Sequence, residues 1–221
     1  MLQPKTAGAW DFFGYALYAF GGLGLEVLLI CAVEPFLFGT GSAAEYTSAQ
    51  KMIHWGMTIL CWGALTVWLV RGARKKLSFD PLQTAKPDGK DIALSGLLGA
   101  ACVALNAWDW GGLKLLGELG SKPPLLFCMQ YLYYFFEVAL VLLIVVFGQK
   151  FAEALLRRES RFPWGGVVLC CTWGAVHILT KGSVATGAGV MVFSLAYGEI
   201  FLLLRRNAVW SYGMLAAAFI L

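Results

Sequence analysis

The sequence predicts an all-α protein, a polytopic membrane helix bundle of about seven transmembrane helices with its N-terminus inside. Three observations carry that expectation. Of 221 residues, 59% are hydrophobic and only 14% charged, whereas about a quarter of the residues in a soluble domain are charged. Apolar runs recur from end to end, so 1–221 reads as a single integral membrane domain and not as a soluble fold with an anchor. Lysines and arginines gather in alternate connectors, the pattern that sets orientation in a bilayer.

A crossing needs about 20 apolar residues. The first run, 12–38, is long enough to tilt or break, with Gly21, Gly22 and Gly24 in its middle and Pro35 near its end. It is too long for a cleavable signal peptide, and no small-residue cleavage site precedes a polar mature chain. The second run is 52–70, followed by a polar connector, 71–90, with two prolines and the sequence RGARKK. The third is 92–108, and a connector rich in glycine and proline covers 109–124. The fourth, 125–147, continues into the amphipathic FAEALLRR. The fifth is 164–180 and the sixth 184–204. The last, 208–221, is about 21 Å long as a helix and crosses only with local thinning or a displaced start.

Seven crossings from an inside N-terminus put Lys5 and the basic connectors inside. Of the 17 lysines and arginines, only Lys51, Lys114, Lys122 and Lys181 then fall outside. Trp10, Trp55, Trp108, Trp110, Trp164 and Trp210 lie at expected span ends, as interfacial tryptophans do. The pairs Ser95/Gly99 and Ala185/Gly189 predict close helix contacts. FAEALLRRESR and RGARKK predict contact with anionic lipid heads, without specifying a lipid. Membrane lipids are therefore the first expected partner, and the expected location is the cell membrane.

Several function classes are excluded. The net charge of +4 resides in the connectors and is no nucleic-acid footprint. Six cysteines lie in apolar runs without CxxC or metal-ligand spacing, so they read as small buried hydrophobes. HExxH and GxxxxGK[ST] are absent, and no metal or cofactor is expected. KGSVATGAG lies at a span boundary, where glycines serve packing.

An ionisable side chain inside a span is a functional candidate by default, because burying it at mid-bilayer costs about 2.5–3.5 kcal/mol. Glu26, Glu34, Glu137, His177 and Glu199 qualify. Glu26 is the deepest. Glu34 is near the outer end and is expected to reach water. Glu137 sits in YLYYFFE, about three turns into the fourth run. Glu199 precedes Arg205 closely enough to pair with the basic end. His54 and Asp109 lie near expected span ends and do not qualify on depth. His177 reads either as a neutral imidazole bonded to a carbonyl or hydroxyl, or as a catalytic group.

FPWGGVVLCCTWGAVH, with Trp173-Gly-Ala-Val-His177, and GVMVFSLAYGEIFLLLRRNAVWSYGMLAAAFIL resemble the later spans of the type II CAAX-protease (CPBP, abortive-infection) intramembrane proteases. The resemblance covers about 145–221. That family carries EExxxR, FxxxH and a later HxxxN or HxxxD. In it a glutamate and the second-motif histidine activate water, and the last pair stabilises the oxyanion. FAEALLRR supplies Glu153 and Arg157 as a half-match to the first motif. An ungapped placement puts Val145 and Val146 on the glutamates. Ala216 and Ile220 stand at the third motif. The resemblance thus implies the family's frame, with His177, Glu153 and Arg157 as the remaining catalytic candidates. The leading expectation is a pseudoenzyme that binds a membrane peptide, lipid or partner protein in the corresponding cavity. The alternatives are an active intramembrane endopeptidase using His177 with a displaced glutamate, and a transporter or channel subunit using Glu26, Glu137, His177 and Glu199.

Overall fold

The computed structural model describes residues 7–40 and 42–221, and no strand occurs among them. In chain order the helices are α1 (Ala9–Phe38), α2 (Ser48–Lys76), α3 (Gly89–Trp110), α4 (Lys114–Ser121), α5 (Pro124–Leu156), α6 (Trp164–Thr180), α7 (Val184–Leu203) and α8 (Ala208–Ile220). Of these, α1, α2, α3, α5 and α7 are long and apolar enough to cross a membrane, while α6 and α8 are shorter apolar helices. Side-chain caps fix several starts. Thr47 and Gln50 form a capping box at α2, Asp88 and Asp91 another at α3, and Asn207 accepts from the Trp210 N–H at α8. Each satisfies amide donors that have no partner within the helix.

The bundle is built around α5. Two thirds of its most apolar window is buried (67%), against at most 33% in the other four long helices. Helices α1 and α2 pack on one side of it, α6 and α8 on the other, with α7 and α3 beyond. Lipid is as apolar as leucine, so close packing and hydrogen bonds hold helices together in a bilayer. Gly165 lies against the Val145 carbonyl, and Gly166 against the Gly198 backbone. A Cβ at either position of α6 would strike main chain. Near Gly22, α1 meets α2 and the Trp62 indole donates to the Gly22 carbonyl at 2.8 Å.

Two packing expectations are revised. Ser95 and Gly99 are buried, with Gly99 facing Met214, but Ala185 is exposed and Gly189 faces open space. Gly187, midway between them, makes the contact, against Ile178. Among the cysteines only Cys102 is buried; Cys31, Cys128 and Cys171 are exposed on the bundle surface.

The basic connectors meet at one end. The Ala208 N–H donates to the Gln83 carbonyl at 2.8 Å and the Asn207 amide to Ala85 at 2.7 Å. Arg205 pairs with Asp88 at 2.6 Å and with Asp91. The start of α1 is at the same end, where Phe12 packs on Phe79 and Trp10 on Phe151. Lys5 lies outside the described residues. Tyr46, α4 and Lys181 occupy the opposite ends of these helices.

Candidate functional site

The polar groups of α1 and α2 converge on one imidazole. His54 Nδ1 is 2.7 Å from Glu34 and Nε2 is 3.3 Å from Glu26. The Tyr46 hydroxyl donates to the other Glu34 oxygen at 2.7 Å. Glu34 is fully buried, His54 nearly so, and the Glu26 side chain is 28% exposed. The polar chain therefore runs from an enclosed end, Tyr46 and Glu34, to a partly open one at Glu26. Burial, and then the bond to Glu34, pushes the Tyr46 phenol up to about 12, so it remains a donor.

The local backbone explains how two glutamates eight residues apart reach one ring. In a regular helix that spacing leaves them about 80° apart, at 100° per residue. Residues Leu29–Val33 form a π-helical segment, and a π-bulge adds one residue to a turn. Glu26 and Glu34 are thereby brought close to the i, i+7 relation, on one face. Pro35 supplies the cause. It has no N–H, and its ring crowds the carbonyl four residues back, at Cys31, which the widened turn relieves. Gly39, at φ 70°, then ends the helix.

Glu137 faces this cluster from α5. It lies within electrostatic reach of Glu26, and Tyr133 stands against Glu26 one turn earlier. The Trp173 indole approaches Glu137 at 3.4 Å. Trp173 belongs to a second π segment, Cys170–Gly174, and its ring lies edge-on to His177, centroids 4.7 Å apart. The Trp173 carbonyl is 2.6 Å from His177 Nδ1. A carbonyl only accepts, so Nδ1 carries the hydrogen. No group among the described residues bonds Nε2, which is left as a free acceptor. Trp173 thus stands between Glu137 and His177, both half-buried.

The remaining sequence candidates are not part of this constellation. Glu153 accepts from Arg206 at 2.6 Å, Gln149 at 3.0 Å and the Ser160 N–H at 3.2 Å. It is a buried clasp at the basic end, and the pairing with Arg157 does not form. Arg157 instead caps α5, exposed, at φ 53°. Nor do Glu153 and His177 meet. Glu153 lies in the last turn of α5, next to the start of α6, and His177 near the far end of α6, roughly 20 Å along that helix. Glu199 is half-buried and makes no hydrogen bond or ion pair among the described residues, because Arg205 is taken by Asp88 and Asp91. Val145 and Val146 are buried in the core, as are Ala216 and Ile220.

Depth measured from a single span end missed His54. The signal was available in the α1–α2 hairpin, where Glu34 and His54 lie at similar distances from the intervening turn. Two carboxylates, an imidazole and a phenol in contact, with a third carboxylate opposite, can relay and exchange protons away from bulk water. No known protein family, curated protein or solved structure matches this chain.

Proposed function

We propose that this chain is a multi-pass protein of the cell membrane with seven crossings and an inside N-terminus, and that it is an intramembrane hydrolase. On this reading it has the frame of the CAAX-type proteases with its acid–base groups relocated to α1, α2 and α5. The topology draws on the basic connectors that gather with the start of α1 at one end. The activity draws on one observation above all, the His54 ring held between Glu34 and Glu26 inside an apolar bundle.

On this reading the reacting water binds between Glu26 and Glu137. One carboxylate takes a proton as the water oxygen bonds to the substrate carbonyl carbon. His54, oriented by Glu34, exchanges that proton through Glu26, and the Glu34 charge balances the imidazolium as it forms. The amide C–N bond then breaks, and the departing nitrogen takes the proton. His177 Nε2, across Trp173, is a second base or a hydrogen-bond acceptor for the substrate. The substrate class is a membrane-embedded or lipid-modified peptide.

The test is turnover of lipid-modified and transmembrane peptides by purified protein in vesicles. Glu26→Gln, Glu137→Gln and His54→Ala should each lower the rate by about 10²-fold or more. Parent turnover that these three variants leave unchanged would sink the reading.

A second reading has its own observation. Val145, Val146, Ala216 and Ile220 are packed into the apolar core, as expected of a non-catalytic relative that binds a membrane peptide, lipid or partner protein. It is favoured if the parent binds such peptides and cleaves none.

A further inference from the structure

We propose that Lys114 is a positioning residue of this site, its ammonium supplying the fixed positive charge opposite the Glu137 carboxylate. The proposal rests on the acid–base reading above.

Lys114 Nζ lies 4.1 Å from the Tyr134 ring centroid, 5.3 Å from Phe219 and 5.6 Å from Trp110. These rings come from α5, α8 and the end of α3, so three elements build the seat. A lysine at a membrane boundary ordinarily extends its ammonium into water. Here it is turned onto aromatic faces, whose quadrupoles attract a cation. Tyr134 is one turn before Glu137 on α5, and Phe219 packs on both Tyr134 and Trp173. Trp173 in turn approaches Glu137. Lys114 and Glu137 therefore border one aromatic wall.

The backbone under Lys114 is fixed. Glu118, one turn along α4 and buried, accepts from Lys122 at 2.9 Å, Tyr131 at 2.9 Å and Gln130 at 3.1 Å. That clasp pins α4 to α5. It also engages Lys122, whereas Lys114 has no carboxylate within 4 Å among the described residues. Loss of water pushes the Lys114 pKa down, against the pull of Glu118 and Glu137, the two carboxylates that act on it. Glu118 already holds Lys122 in an ion pair, whereas Glu137 has no ion-pair partner among the described residues, and Lys114 lies across the aromatic wall they share.

The other groups facing Glu137 are Glu26 from α1, the Trp173 indole from α6, Lys181 from the α6–α7 turn, the buried Tyr197 from α7, and Tyr133 and Tyr134 of α5. Of the two cations, Lys181 is exposed on a turn, and Lys114 alone is held in a fixed seat.

The experiment is infrared titration of the intact protein in vesicles, which requires no substrate. The protonated-carboxyl band of Glu137 is identified by its loss in Glu137→Gln. In Lys114→Met the band should persist to a pH higher by about one unit or more, the effect of removing a nearby opposite charge. Lys114→Arg should return it towards the parent, and Lys181→Met should move it less than Lys114→Met. Coincident titrations in the parent and Lys114→Met overturn the proposal. A band present at every pH, or absent at every pH, in both proteins also overturns it. Because turnover is not read, failure here is separate from failure of the hydrolase reading.

Discussion

At the scale of the residue, His54 is the group on which the site depends. Its ring satisfies one oxygen of a fully buried carboxylate, and Tyr46 satisfies the other. His54→Ala leaves Glu34 with one partner in a cavity and should lower stability by about 3–5 kcal/mol, the usual result of stripping one member from a buried pair. Adding Glu34→Gln removes the stranded charge, so the double variant should unfold at a higher temperature than His54→Ala alone. Thermal unfolding in detergent reads both. A double variant no more stable than the single would mean that the pair contributes packing and not charge compensation. The sequence was legible here up to a point. Glu26, Glu137 and His177 stand out because lipid makes any ionisable side chain conspicuous. His54 does not, because its role depends on how two spans fold back on each other. Glu153 stands out for a different reason: an ionisable residue can also hold a helix end, and a motif half-match cannot tell a clasp from a catalyst, while Glu199 lies half-buried with no hydrogen bond or ion pair among the described residues.

At the scale of the element, hydropathy located all seven apolar runs, but their ends obey a different chemistry. Helix α2 continues to Lys76, well past its apolar stretch, and α5 continues to Leu156 through the amphipathic extension that its sequence predicts, because a helix ends where its carbonyls find other partners. The π segments of α1 and α6 were equally invisible to periodicity, although Pro35 gives the physical reason for the first. Two helix ends on the basic side use arginine where glycine is usual. Arg157 and Arg205 have φ of 53° and 55°, and each is followed by a residue whose N–H bonds back into the last turn. The left-handed conformation costs a residue with a Cβ about 1–2 kcal/mol. Arg157 is exposed and makes no side-chain bond among the described residues, so Arg157→Gly should raise stability by about 1 kcal/mol. Arg205 holds Asp88 and Asp91, and Arg205→Gly gives up those ion pairs for the same relief, so it should be close to neutral. Chemical denaturation of the two variants in one detergent checks the contrast. Equal gains would show that the Arg205 ion pairs contribute nothing.

At the scale of the whole molecule, the hydrolase reading assigns the two ends of the bundle different work. Acid–base groups collect at the end of Tyr46 and α4. The basic end is a structural lock in which Arg206 joins the α7–α8 turn to Glu153 of α5 and to the Ser160 carbonyl. Gln149 extends the lock, donating to Glu153 and accepting from the Gly165 N–H at 3.0 Å, where α6 makes its closest approach to α5. Arg206→Met removes the cation from a carboxylate that is 7% exposed. It should cost about 3–5 kcal/mol by the same logic of an uncompensated buried charge. Combining it with Glu153→Gln should cost less than the sum of the single variants, since the two groups share one interaction. Neither residue touches the Glu26–His54 cluster, so peptide turnover per folded molecule should match the parent in both variants. Unfolding curves paired with folded-fraction activity decide the matter. If Arg206→Met lowers turnover in step with Glu137→Gln while the protein remains folded, the division between a locking end and a reacting end is wrong, and the motif-like Glu153 region returns as a participant in the chemistry.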